Sequence, residues 1–131
     1  MNLASIRIIS PEIKRLVQFY ENVTNLSAHW YTDDFAEINS TTCTLAIGST
    51  RTLSLFGNDL VQTGNSNSVI IEFRLENVDE HYEQIKHLLS EIIQEPTTMP
   101  WGNRSLMFRD PDGNLVNFFT PVTTEAIEKH G

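Results

Sequence analysis

Arg109 to Phe119 reads RDPDGNLVNFF, and this stretch decides the fold. Asp110-Pro111-Asp112-Gly113-Asn114 consists of turn formers: proline presets φ, aspartate accepts from backbone N–H groups, and glycine or asparagine tolerates positive φ. Ser105-Leu106-Met107-Phe108 before it and Leu115-Val116-Asn117-Phe118-Phe119 after it are apolar and strand-like. The stretch therefore predicts a β-hairpin, with Pro100-Trp101-Gly102 leading into it.

Working outward, the same sequence of patterns occurs twice. Ser5 to Ile9 is short and β-branched, and Ser10-Pro11 offers an N-cap followed by proline at the first helical position. Ile13, Leu16, Val17, Tyr20 and Val23 then recur at helical spacing, and the helix is expected to end near Asn25. Phe35 to Ile38, Thr44 to Ile47 and Thr52 to Phe56 read as three strands, with turns at Asn39-Ser40-Thr41 and Gly48-Ser49-Thr50. Residues 58–67 are polar and read as a linker. After it Val69 to Leu75 is a strand, and Asn77-x-x-Glu80 has the form of a capping box. Val78, Tyr82, Ile85, Leu89 and Ile92 mark a second amphipathic helix. A weak strand within Ile92 to Glu95 and the two strands of the hairpin complete a second β-α-β-β-β series. Ser5 and Ile70 stand at matched distances from the two helices, as do Arg7 and Glu72. A unit of about 50–60 residues buries a helix and a sheet poorly alone, so the halves are expected to pack together or across two chains. The reading is one domain, with unit one over 3–57, unit two over 68–121 and a loose tail over 122–131.

The chain has 131 residues, with 17 acidic and 9 basic side chains and a net charge of -8. That balance lacks the basic footprint of a nucleic-acid binder. No apolar run approaches the length of a membrane span, and Met1 to Ala4 leads straight into a strand, so a cytoplasmic protein is expected. The single cysteine, Cys43, has no internal disulfide partner and is expected to be a buried strand residue. It has no helix N-terminus to activate it. No serine sits in a G-x-S-x-G elbow and no glycine loop suits a phosphate, so no catalytic residue and no cofactor is assigned.

The series W-G-x-R-x-x-x-F-R-D-P-D-G-N-x-x-x-F, from Trp101 to Phe118, resembles the last hairpin of the glyoxalase / bleomycin-resistance / extradiol-dioxygenase superfamily, the vicinal oxygen chelate proteins. Phe19-Tyr20 on the first helix is similar to that family as well. The resemblance implies an α+β fold. Two tandem βαβββ units would form a curved, partly open mixed sheet around a central cavity, with the helices outside. It also implies a homodimer, in which a second chain covers sheet edges near Trp30-Tyr31 or Trp101. Metal-dependent members place ligands on the first and last strand of each unit, which here implies Ser5, Ser54, Ile70 and Asn117. Two hydroxyls, an alkyl group and an amide are not the donor set of a divalent cation, so no metal is expected. The scattered histidines do not replace them; His81 and His87 are six residues apart on one predicted helix.

The expected ligand contacts are aromatic and polar. Trp30, Tyr31, Phe35, Phe56, Trp101 and Phe119 are candidates for the lining. Arg7, Ser54, Glu72, Arg74, Arg104 and Asn117 are candidates for the polar contacts. Such a set suits a flat, hydrophobic or cationic ligand, and resembles the drug-sequestering, antibiotic-resistance members of the family. Two other functions are open to the same sequence. One is an enzyme of the superfamily (lyase, isomerase, dioxygenase or thiol transferase) with other ligands or with acid/base work by Glu72. The other is a non-catalytic interaction module.

Overall fold

The computed structural model describes residues 1–57 and 68–130, and the linker expected over 58–67 lies outside the described residues. The chain divides into two compact units, Met1–Asn65 and Ser66–Gly131. In unit one β1 (Ser5–Ser10) is followed by α1 (Ile13–Thr24), β2 (Ala28–Thr32), β3 (Phe35–Asn39) and β4 (Thr44–Ser49). The four strands order as β1-β4-β3-β2, with β1 parallel to β4 and the other pairs antiparallel. Unit two repeats this plan with β5 (Ile70–Arg74), α2 (Val78–Ile85), β6 (Glu91–Thr98), β7 (Asn103–Arg109) and β8 (Leu115–Pro121) in the order β5-β8-β7-β6. The fold is thus α+β, with two four-stranded mixed sheets, neither closed into a barrel.

Each helix covers one face of its own sheet. The five apolar residues of α1 read from the sequence, Ile13, Leu16, Val17, Tyr20 and Val23, are all buried. Ala36, Ile38, Leu45 and Ile47 are buried with them, on alternate positions of β3 and β4. In unit two Val78 and Ile85 of α2 are buried, as are Leu106, Phe108, Val116 and Phe118. Phe118 meets Phe108 edge-on at 5.0 Å and Phe73 at 5.3 Å. The N-cap of α2 is Asn77, whose side chain accepts from Glu80 N at 3.0 Å, as the capping-box pattern predicts. Helix α1 ends at Asn25, which adopts φ 61° and returns its N–H to Glu21 O.

The hairpin forms as expected. Asp110 Oδ1 accepts from Asp112 N and Asn114 N, both at 2.9 Å, and Oδ2 accepts from Asn114 Nδ2 at 2.8 Å. Gly113 holds φ 89°, so the turn closes through the one residue without a Cβ penalty. Arg109 Nη1 donates to Gly113 O at 2.7 Å and braces the loop from outside.

Five local expectations are corrected. Thr52 to Phe56 is not a strand, because Thr50–Leu55 winds as a 3-10 helix. Its hydroxyls stabilise that turn: Thr52 Oγ1 donates to Ser49 O at 2.7 Å and Ser54 Oγ to Arg51 O at 2.9 Å. The missing strand is β2, whose AHWYT lacks apolar alternation because it is the exposed outer strand. The second helix ends at Ile85, and Glu91–Thr98 makes a strand twice the expected length, so Leu89 and Ile92 are not helical. Cys43 is exposed in the turn before β4. The tail is an ordered helix, α3 (Thr124–His130). It docks because Gly102 O accepts from Val122 N and Thr123 N, and because Ala126 is buried.

Candidate functional site: the sheet faces opposite the helices

The strand registers of the two units superimpose. Arg7 pairs with Ala46 across β1 and β4, and Glu72 pairs with Asn117 across β5 and β8. Arg7 and Glu72 are therefore equivalent, and so are Ala46 and Asn117. Because β4 is the last strand among the described residues of unit one and pairs with β1 as β8 pairs with β5, the position equivalent to Asn117 in that unit is Ala46, not Ser54. The implied metal positions become Ser5, Ala46, Ile70 and Asn117. A hydroxyl, a methyl, an alkyl group and an amide do not fit a divalent cation. Among the described residues, no three His, Cys, Asp or Glu side chains are grouped to hold one.

In unit one the face away from α1 carries Arg7, Ala46, Glu37 and His29 in one row, with Ile9, Gly48 and Phe35 in the next. The Arg7 guanidinium lies over the Phe35 ring, 4.8 Å from its centroid. Tyr31 stands between His29 and Phe35, at 4.4 and 5.8 Å between ring centroids. Its hydroxyl donates to Glu37 Oε1 at 2.9 Å, and that bond to a carboxylate raises the phenol pKa above its ordinary value. Strand β4 gives this face only Ala46 and Gly48. A Cβ on Gly48 would stand 3.0 Å from Thr52 Oγ1, so the small residue keeps a floor on which larger neighbours stand as walls. Tyr31 and Arg7 are exposed, while Phe35 is half-buried.

In unit two the corresponding row is Glu72, Asn117, Met107 and Gln94, flanked by Arg74, Phe119 and Ser105. Asn117 Nδ2 donates to Glu72 Oε2 at 2.8 Å, while Asn117 itself is only 8% exposed. Among the described residues its Oδ1 has no hydrogen-bond partner. Phe119 is buried and meets the His130 ring at 5.0 Å, so α3 reaches the edge of this face.

Several residues expected at the site lie elsewhere. Trp30 pairs with Ala36 and belongs to the α1 side, where it lines a groove of about 340 Å³ with Lys14, Val17, Gln18, Glu21 and Asp33. Arg104 is on the α2 side of its sheet, held by Asp79 through Nε to Oδ2 at 2.7 Å and Nη2 to Oδ1 at 3.0 Å. That fork holds the Asp79 carboxyl below the usual carboxylate range and Arg104 above its own. Ser54 and Phe56 are exposed in and after the 3-10 helix, and Trp101 is exposed at the turn before β7. His29, Glu37 and Met107, which are not among the candidates read from the sequence, also stand on these two faces. Glu37 lies two residues after Phe35 on a strand read from the sequence, so alternation already marks it; His29 joins the face of Arg7 only once β2 is placed beside β3.

The sequence model described as Glyoxalase/Bleomycin resistance protein/Dioxygenase superfamily matches residues 2–118. The uncharacterized protein YraH of Bacillus subtilis (strain 168) is 23% identical over 125 residues, covering 91% of this chain and 98% of its own. A glyoxalase/bleomycin resistance protein/dioxygenase family enzyme from Burkholderia phytofirmans PsJN superimposes with a TM-score of 0.82 at 12% identity, covering 93% of this chain and 100% of that one. Lactoylglutathione lyase from Agrobacterium tumefaciens superimposes with a TM-score of 0.69 at 18% identity, covering 91% and 92%. At these identities the structures speak for the fold.

Proposed function

The chain belongs to the glyoxalase/bleomycin resistance protein/dioxygenase superfamily, and from that premise we propose that it binds a small organic molecule on the sheet faces opposite α1 and α2, by stacking and hydrogen bonding instead of through a chelated ion. The observation that carries this reading is the cluster of Arg7, Phe35, Tyr31 and His29. Three rings and a guanidinium gather there around a floor of Ala46 and Gly48, where a core would place large aliphatic groups. Exposed aromatic surface flanked by charge is how a protein grips a flat ligand, with stacking supplying affinity and Arg7 and Glu37 supplying orientation. The corrected faces of Trp30 and Arg104 shift the expected stacking surface to Tyr31 and Phe35.

The test is a titration of isotope-labelled protein with a library of flat aromatic fragments, read by amide and aromatic shifts. Saturable perturbation centred on Arg7, His29, Tyr31 and Phe35 is expected, with Phe35→Ala weakening binding at least tenfold. A library that leaves these residues unmoved sinks the reading. Metal affinity is checked on the same sample: a stoichiometric ion that protects the fold would return the function to chelate chemistry.

A further inference from the structure

The unfilled acceptor of Asn117 says what kind of group the unit-two face takes. This step rests on the ligand-binding reading. A buried polar atom without a partner costs about 1–3 kcal/mol and is rare in folded proteins, so each one asks for an absent hydrogen-bonding group. Asn117 Oδ1 is such an atom, on a side chain more than nine-tenths buried. Its orientation is determined by its neighbour, since the Glu72 carboxylate can only accept and so takes the amide N–H at 2.8 Å. The amide nitrogen thereby faces Glu72 and the oxygen is the other branch of the same planar group, with Met107 the register neighbour of Asn117 on β7. Met107 is unbranched and half-buried, a side chain that can swing aside for a ligand atom.

The pair therefore offers acceptors: a carboxylate on the exposed Glu72 and a carbonyl oxygen on the buried Asn117. The one amide N–H facing Glu72 is already used. An anionic group would meet the Glu72 charge, within a chain of net charge -8. A neutral acceptor would leave Oδ1 as it is. We infer that Glu72 and Asn117 form a reader for a cationic nitrogen carrying at least two N–H donors, an amidinium or primary ammonium, with one N–H on Asn117 Oδ1 and another on Glu72.

Benzamidine tests this, with benzoate and benzyl alcohol as the anionic and neutral counterparts of the same ring. Titrated into labelled protein at low salt, benzamidine is expected to saturate and to shift the Asn117 side-chain amide and the Met107 methyl resonances, with at least tenfold tighter binding than either counterpart. Glu72→Gln, on an exposed side chain, is expected to weaken benzamidine at least tenfold while keeping the melting temperature. Asn117→Ser is expected to weaken it about fivefold, a loss of roughly 1 kcal/mol in affinity arithmetic. Benzamidine binding unchanged by Glu72→Gln overturns the inference, as does equal or tighter binding of benzoate or benzyl alcohol. If the cation fails but other fragments still move Tyr31 and Phe35, the donor reader falls and the binding reading stands. If no fragment moves either face, both fall.

Discussion

Asp110 is 3% exposed at the head of the β7–β8 turn, and its carboxylate accepts from Asp112 N, Asn114 N and Asn114 Nδ2. Asp110→Ala leaves two turn N–H groups without that acceptor, and is expected to lower stability by about 2–3 kcal/mol in urea unfolding. Asp79 gives a pH-dependent counterpart. Hydrogen bonds from Arg104 hold its folded-state pKa below the ordinary 3.8, so the folded chain takes up that proton less readily than the unfolded one. The pair's contribution is complete above the unfolded value and is lost as pH falls through the lower folded value. With more than half of the Asp79 side chain exposed, solvent screening keeps the contribution small. Asp79→Asn is expected to cost about 0.5–1 kcal/mol at neutral pH, with the gap to the parent closing below about pH 4. A gap that persisted to lower pH would show that packing, not charge, was lost.

At the scale of elements, α3 depends on a backbone conformation at one glycine. Gly102 holds φ 97°, and a Cβ there would stand 2.1 Å from Thr123 Oγ1 and 3.1 Å from Ala126 Cβ. Thr123 Oγ1 in turn accepts from Ala126 N at 3.2 Å, across the first turn of α3. Gly102→Ala is expected to destabilise by about 2 kcal/mol or more and to loosen α3 first, read as faster amide exchange over 124–130. The hairpin, the Asn77 cap of α2 and the end of α1 at Asn25 were legible in the sequence because turn and cap residues act within four positions of one another; the start of α1 was not, since Ser10 ends β1 and the N-cap is Glu12. Nor was the 3-10 helix. TRTLSL alternates as a strand does; the bonds of Thr52 and Ser54 within the turn are local, but the residues they close on, Ser49 and Arg51, are anchored by Asp34, whose Oδ1 accepts from Ser49 Oγ at 2.7 Å and Arg51 Nε at 2.8 Å. The partners are 15 and 17 residues apart, beyond any local pattern.

For the whole molecule, the outer strands carry a consequence. Among the described residues strand β2 ends one sheet and exposes Trp30 and Tyr31, and β6 ends the other and exposes Ile92 and Ile93. Unpaired strand edges beside exposed apolar side chains favour association between copies. A homodimer is the expected solution state, measured by light scattering during size exclusion, and Ile92→Lys with Ile93→Lys is expected to shift it toward monomer if β6 is the contact. A monomer at all concentrations would remove the assembly expectation and leave the ligand faces intact.

From the sequence alone came the duplicated β-α-β-β-β plan, the two helices and the closing hairpin, because periodicity and turn chemistry are written in neighbouring residues; in unit one the plan was read with Thr52 to Phe56 in place of β2. Family resemblance followed from the same hairpin. Only the tertiary structure decided which residues share a face. Alternation separates two faces of a strand without saying which one a helix covers, so Trp30 and Arg104 went to the helix sides while His29 and Glu37 joined Arg7. It also decided that Glu72, 45 residues before Asn117, takes the amide N–H and leaves Oδ1 waiting, because strand register alone brings such distant groups within a hydrogen bond.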